Sequence, residues 1–211
     1  MTVTQIVEHT KSRSKVYIDQ EFAFVLYKGE LRRYHISEGN EIDMQDYHSL
    51  MHDILPRRAK LRCMNLLKSR DYTRHQLKEK LKQGFYPEEV MEEALDYVAS
   101  FRYIDDDRYA LDYIRCSSDK KSRRRIEADL AKKGLDRDTV SGAWSRWADE
   151  GNVQDEEKQI ARLLEKRHFQ ADQADRKQLQ STYAFLARKG YSAESIRKAM
   201  KNDWDEEFCL T

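Results

Sequence analysis

Three consecutive aspartates, Asp105–Asp107, carry side chains that could bind a divalent metal and act in hydrolysis. Such a run has a commoner local role, because an aspartate accepts hydrogen bonds from the free N–H groups at a helix start. The apolar residues that follow have the spacing of one helical face: Tyr109, Ala110, Tyr113 and Ile114. We therefore expect a helix to begin at the aspartates, and a metal-dependent nuclease is kept as an alternative function.

The histidines and cysteines do not form a recognisable site. His48 and His52 are four residues apart, a spacing that suits a metal, but no third ligand is close in the sequence. The three cysteines are far apart with no CxxC pair, which argues against a zinc site and favours a reducing compartment. No phosphate-binding glycine loop or GxSxG motif occurs either. We expect no catalytic residues, no metal, no cofactor and no enzymatic activity.

Charge is segregated along the chain. Residues 57–82 contain ten Lys and Arg against two acidic residues, residues 87–107 one against eight, and residues 115–137 nine against four. Basic helices that share a face could bind phosphates or an acidic protein surface, but basic and acidic helices could equally neutralise each other. The sequence leaves both possibilities open. The candidate anion-binding residues are Arg57, Arg58, Lys60, Arg62, Arg74, Lys78, Lys82, Lys120, Lys121, Arg123, Arg124, Arg125, Lys132 and Lys133.

One basic run is locally unfavourable. Lys120, Lys121 and the three arginines that follow Ser122 lead into a predicted helix, where they face the positive end of the helix dipole. A sequence selected only for stability would rarely place five bases there, so the run suggests an external anion. A solvated turn is the simpler alternative.

The composition limits the class of protein. Charged residues make up 36% of the 211 positions, the net charge is +1 and the hydrophobic share is 39%, which is typical of small helical modules with much surface. No stretch approaches the roughly 18 apolar residues of a membrane helix. We expect a cytoplasmic protein that does not insert into a membrane.

Residues 15–36 carry the only clear strand pattern. Val16–Ile18 and Phe22–Tyr27 are short β-rich runs, and the segment from Leu31 to Ile36 follows a turn signal. So small a ribbon is marginal alone, so we expect it to pack on the first helices rather than to pair with a partner's strand.

A helical pattern begins at Asp43 and is expected to end before Pro56, since the residue before a proline avoids helical backbone. The chain then repeats around Gly84, Gly134 and Gly190, each followed by an apolar residue and by another six positions later. Each glycine is expected to end a helix in the left-handed conformation that a residue without Cβ adopts freely.

Each repeat contains three amphipathic segments, which predicts nine helices and no strand within residues 57–204. The expected fold is all-α, a tandem array of three three-helix repeats preceded by a small N-terminal β-ribbon. Trp144 and Trp147 share a face with Val140 and Ala143, so at least one indole should be buried. The predicted domains are residues 1–55, with the ribbon and a short helix, and the repeats at 56–106, 107–156 and 157–211.

Three runs carry a family resemblance: YIDD at 103–106 with YA at 109–110 and YI at 113–114, RIEADLAKKGL at 125–135, and FLARKGY at 185–191. Together they resemble the RecX family, regulators of the RecA recombinase, and the likeness extends over about residues 15–204. In one departure, Ser122-Arg123-Arg124 stands where the family often has a glycine, so this helix start is more basic.

The resemblance implies a curved array of three-helix repeats that lies in the groove of a RecA–DNA filament. There it would lower ATPase activity and strand exchange in recombination, DNA repair and the SOS response, by blocking filament growth or promoting disassembly. The implied partners are the RecA filament and single- and double-stranded DNA, contacted by the candidate residues above, and we expect a monomer. A stand-alone DNA-binding protein is an alternative, since repeated short helices resemble helix-turn-helix units.

Overall fold

The computed structural model describes residues 1–171 and 173–200, and these contain three strands and eleven α-helices. Expectations about residues 201–211, including Cys209, lie outside the described residues. The chain divides into two compact units, of which the first is Met1–Asp105 and the second begins at Asp106. No described helix is long and apolar enough to cross a membrane.

The first unit opens with an antiparallel sheet of three strands in the order β1-β2-β3. The strands are β1 Val3–Thr10, β2 Arg13–Ile18 and β3 Glu21–Tyr27. The expectation that the strands lie within residues 15–36 is therefore wrong at both ends. Most of β1 is exposed, with Val3 as its buried residue, so its sequence lacks the clean alternation that marks a half-buried strand.

The sheet packs on helices through one face. Along β2, Ser14, Val16 and Ile18 are buried while the residues between them are partly exposed. Val16 and Ile18 join the same core as Phe24 and Leu26 of β3 and the first helices of the chain. The expectation of a ribbon packed within its own chain is confirmed.

The segment after β3 is a helix, not the predicted turn and strand. Lys28–Arg33 forms α1, which the Glu30 carboxylate caps by accepting a hydrogen bond from the Tyr27 N–H at 2.7 Å. The same carboxylate accepts a hydrogen bond from the Arg58 guanidinium at 2.6 Å. This tertiary partner is 28 residues away and leaves no local trace in the sequence.

The predicted helix end before Pro56 is also wrong. Helix α2, Met44–Ser49, continues through a π-helical turn, Leu50–Ile54, directly into α3, Leu55–Leu67. In the π-turn the Leu55 N–H donates to the Leu50 carbonyl five residues earlier. Widening the helix at this point accommodates a proline that has no N–H to donate.

The repeats follow as expected, with nine helices and no strand in the described part of residues 57–204. In each repeat the third helix packs along the first, so that α3 contacts α5, α6 contacts α8 and α9 contacts α11. After α3 the helices are α4 Arg74–Lys82, α5 Glu88–Ser100, α6 Asp106–Ser117, α7 Arg123–Ala131, α8 Arg137–Asp149, α9 Glu156–Lys166, α10 Arg176–Arg188 and α11 Ala193–Met200.

A shared turn joins the second helix of each repeat to the third. The N–H groups of Tyr86, Leu135 and Tyr191 donate to a leucine carbonyl five residues earlier, at 3.4, 3.3 and 3.4 Å. The residue before each donor is left-handed, as in a Schellman motif. Gly134 and Gly190 fill that position in the second and third repeats, as predicted.

The first repeat departs from this pattern. Its left-handed residue is Phe85, with φ +61°, and Gly84 precedes it. Gly84 has a different role, because a Cβ there would lie 2.8 Å from the ring of Tyr86 and 3.0 Å from the carbonyl of Leu81. The alignment on glycine is thus one residue out of register in the first repeat.

We predict opposite effects for two Gly-to-Ala substitutions in the second unit. Gly190→Ala places a Cβ 2.7 Å from Ser122 Oγ in left-handed backbone, so it should lower the free energy of unfolding by at least ~1 kcal/mol. Gly142 lies inside α8 with open space around its Cα, so Gly142→Ala should raise that free energy by roughly 0.5–1 kcal/mol. Urea denaturation measures both, and shifts of the same sign would contradict the turn assignment.

Trp144 and Trp147 are both buried, and their rings meet edge to face at 5.4 Å. We predict that Trp144→Ala costs about 3–5 kcal/mol of unfolding free energy. Trp144→Phe should cost much less, because within the described residues the indole N–H has no acceptor to lose. Thermal and urea unfolding give the comparison, with the 86% exposed Val153→Ala as a neutral control. Equal losses for the two Trp144 variants would refute this account.

Candidate functional site

Two basic residues of α4, Arg74 and Lys78, are neutralised by acidic residues of α5. The guanidinium of Arg74 lies 2.5 Å from Glu92 and 2.8 Å from Asp96, and Lys78 Nζ lies 2.5 Å from Glu88 and 2.6 Å from Glu92. Hydrogen bonds from Lys78 and Arg74 hold the pKa of the Glu92 carboxyl below its usual value. Neutralisation between helices therefore occurs here inside one repeat.

Arg58 also acts within the first unit. Besides its ion pair with Glu30, it donates a hydrogen bond to the Val25 carbonyl of β3 at 3.2 Å. Its guanidinium lies 4.7 Å from the centre of the Tyr27 ring. These contacts tie α3 to the end of the sheet, so binding an external anion would require breaking them.

The other four basic candidates of the first unit differ in how many internal contacts hold their side chains. Lys60 pairs with Glu93 at 2.7 Å, and Arg62 donates to a backbone carbonyl of α4 at 3.3 Å. Lys82 is exposed and only 3.8 Å from a carboxylate three residues earlier in its helix. Arg57 is exposed, and no carboxylate in the described ranges forms an ion pair with it.

In the second unit, Lys121 is part of an internal network. Its Nζ donates to Asp129 Oδ2 and to the Tyr113 hydroxyl, both at 2.8 Å, and that hydroxyl donates to Asp129 at 3.1 Å. The hydrogen bond from Lys121 lowers the pKa of Asp129, and Arg125 adds an ion pair at 3.3 Å. Lys121 therefore links α6 to α7.

The start of α7 rests on the end of α10. Ser122 is fully buried, and its Oγ accepts from the Arg125 N–H at 3.3 Å and donates to the Lys189 carbonyl at 2.8 Å. Gly190 permits this approach because it has no side chain. The C-terminal end of α10 carries partial negative charge, which offsets part of the unfavourable positive charge at this helix start.

Three exposed cations lie just before, within and just after α7, and we call them the α7 cation row. The row consists of Lys120, Arg124 and Lys132. Within residues 1–171 and 173–200, no carboxylate forms an ion pair with any of the three. Arg124 and Lys132 are eight residues apart, about 12 Å along the helix, with the small residue Ala128 between them on the same exposed face.

Arg123 and Lys133 flank the row and contact aromatic rings. Arg123 pairs with Glu127 at 2.9 Å within the helix, and its guanidinium lies 4.9 Å from the centre of the Trp144 ring. Lys133 Nζ lies 5.4 Å from the ring of Tyr113. An open groove of about 490 Å³ runs beside α7, with Arg123 in its lining. Arg123 is therefore held by its contacts with Glu127 and Trp144 while it borders the groove.

The aspartate run and the histidine pair, the other residues that could do chemistry, have local structural surroundings. Asp106 and Asp107 occupy the first turn of α6, as predicted, and Asp107 pairs with Arg146 at 2.6 Å. The rings of His48 and His52 are 4.3 Å apart, and the described residues contain no group of three ligands able to hold a metal. Burial raises the pKa of the Cys63 thiol to about 11, which keeps it protonated near neutral pH.

A buried polar network that is not predictable from the sequence joins the second and third repeats. Gln159 Nε2 donates to the Ser118 carbonyl, and its Oε1 accepts from the Tyr191 hydroxyl at 3.0 Å. Gln154 Nε2 donates to the carbonyls of Ser118 at 3.2 Å and Lys121 at 2.7 Å. Burial raises the pKa of Tyr191 to about 12. A glutamine in a charged helix gives no signal that it will be buried.

Comparison with known proteins identifies the repeats. Residues 59–97 match the first three-helix domain of RecX, residues 105–143 the second and residues 155–200 the third. A Clostridioides difficile protein named regulatory protein RecX is 25% identical over 203 residues, which cover 94% of this chain and 93% of that protein. A Neisseria meningitidis protein of the same name is 32% identical over 147 residues, covering 70% of this chain and 92% of that protein.

A solved structure agrees with the sequence comparison. A crystal structure of regulatory protein RecX superposes with a TM-score of 0.59 and 25% identity, covering 95% of this chain and 98% of the other. The ordered matches to all three domains and the identity to the Neisseria protein show that this chain belongs to the RecX family.

Proposed function

We propose that the protein regulates the RecA recombinase, mainly as an inhibitor that binds the recombinase–DNA filament. It would limit ATP hydrolysis, filament growth and strand exchange in recombination, repair and the SOS response. The observation that carries this proposal is the ordered match of all three repeats to a family whose members are named regulatory proteins. We also propose that it acts in the cytoplasm as a monomer. The proposed boundaries of the three repeats are residues 56–106, 107–156 and 157–211.

The α7 cation row is the proposed contact with the filament. An exposed cation without a carboxylate partner can bind a phosphate, or an acidic group lining the filament groove, without breaking an internal ion pair. Arg123 and Arg125 lie beside the row, but each is paired with a carboxylate of its own helix, Glu127 and Asp129. Arg58, Arg74 and Lys78 would first have to leave their carboxylates.

A second candidate function is DNA binding without the recombinase. It is favoured by the same exposed face of α7, which the shared turn joins to α8 in a helix-turn-helix-like arrangement. The two functions differ in whether RecA must be present for tight binding.

We predict that wild-type protein lowers ATP hydrolysis by RecA on single-stranded DNA. Changing Lys120, Arg124 and Lys132 together to Gln should raise the concentration for half-inhibition by about tenfold, because exposed charge contacts contribute up to about 1 kcal/mol each. The salt dependence of inhibition should fall as well. ATPase titrations at several salt concentrations measure both quantities.

The matched control changes Lys158, Arg162 and Lys166 to Gln. These side chains are exposed on α9 of the same unit, and among the described residues no carboxylate forms an ion pair with them. The control should inhibit like wild type. Equal half-inhibition by the two triple variants would overturn the site, and a lack of inhibition by wild type would overturn the function.

A further inference from the structure

The outer face of the N-terminal sheet carries a patch of partly exposed apolar and aromatic residues. The side opposite the buried face presents Lys15 and Tyr17 of β2 next to Phe22, which pairs with Tyr17 across the strands. Phe22 is 41% exposed and Val7 is 38% exposed. We call this surface the sheet patch, and it consists of Val7, His9, Lys15, Tyr17, Phe22 and Phe85.

The rings of the sheet patch form one continuous surface. Ring centroids are 5.8 Å apart for Tyr17 and Phe22, 6.1 Å for Phe22 and Phe85, and 4.9 Å for Phe85 and His9. Phe85 reaches the strands from the turn between α4 and α5. It does so from left-handed backbone that the other two repeats assign to glycine, so the first repeat keeps a side chain where the backbone disfavours one.

One lysine contacts these rings, and two further cations lie in the adjoining turn and strand. Lys15 Nζ lies 4.2 Å from the centre of the Phe85 ring. Across the described ranges, no carboxylate forms an ion pair with Lys15, or with Lys11 and Arg13 in the adjoining turn and strand. The nearby Glu8 is paired with Lys28 at 3.3 Å.

Three other acidic residues lie near the strands, of which Glu38 accepts a hydrogen bond from the Ile6 N–H of β1 at 2.6 Å. Glu21 pairs with Ile18 across the strands, and Ile18 belongs to the buried face, so Glu21 lies on the opposite side from Phe22. Asp19 accepts a hydrogen bond from the Thr2 N–H at 2.9 Å. The patch therefore combines aromatic rings with unopposed positive charge, unlike the α4 surface.

We propose that the sheet patch binds single-stranded nucleic acid. Unpaired bases would stack on Phe22 and Tyr17, while Lys15 and Arg13 contact the phosphates. A duplex fits poorly because its bases already stack on one another. A protein partner fits less well because the centres of protein interfaces are depleted in charge. The strands that carry most of the patch lie outside the segments matched to the family's three domains, and the proposal does not depend on recombinase regulation.

The test measures binding of the full-length protein to a fluorescein-labelled 20-mer of deoxythymidine by anisotropy, without recombinase. Phe22→Ala should weaken binding by about tenfold, the loss expected for one base-stacking ring. Lys15→Gln should reduce the slope of log affinity against log salt by about 0.7. The controls are Phe101→Ala and Lys68→Gln, which change an exposed ring and an exposed lysine elsewhere in the same unit.

Unlabelled single strand should displace the probe more effectively than a duplex of equal length. Absence of binding, stronger competition by the duplex, or wild-type affinity in both Phe22→Ala and Lys15→Gln would overturn the proposal. Circular dichroism checks each fold, and if Phe22→Ala is misfolded, Lys15→Gln alone decides. Loss of binding only in the Lys120, Arg124 and Lys132 triple variant would assign the nucleic acid to α7 instead.

Discussion

The turn that follows the second helix of each repeat is the constraint on which the repeat architecture depends. In all three repeats a leucine carbonyl accepts the N–H of the residue five positions later, across one left-handed residue. This bond fixes the direction in which the third helix leaves, and the third helix must run back along the first to cover its apolar face. The leucines themselves, Leu81, Leu130 and Leu186, are fully buried, so each turn is anchored in its own core.

Periodicity predicted the helices because burial and helix geometry repeat locally. The four residues predicted to share one face of α8 are all buried, including both tryptophans. Features that depend on distant partners were not predictable. Strand β1 pairs with β2, and Glu30, which caps α1, is paired with the distant Arg58. The glycine alignment failed at Gly84 because two different needs, left-handed backbone and space for Tyr86, both select glycine.

The pairing of charges in the candidate site also depends on distant partners and was not predictable from the sequence. By residue counts the segment 57–82 is the more basic one, yet its Arg74 and Lys78 are paired with α5. The less basic second repeat exposes the unpaired row, because its acidic residues contact Lys121, Arg123 and Arg125 instead. Net charge of a segment is additive along the sequence, whereas availability of a charge is decided by which helix lies opposite. The net charge of a segment and the availability of its charges can therefore be told apart only from the three-dimensional pairing of the helices.

The hydrogen bonds of Gln159 make the junction between the second and third repeats specific to those two repeats. Gln159 and Tyr191 belong to the third repeat and act together on a carbonyl of the second, at a site closed to water. A repeat without Gln159 placed there would leave the buried Tyr191 hydroxyl without its acceptor and the Ser118 carbonyl with Gln154 as its remaining donor, at an energetic cost. Repeats with the same three-helix arrangement therefore cannot simply replace one another. Duplication or shuffling of these units during evolution would have to carry the matching junction with them, so the second and third repeats are expected to be inherited as a pair.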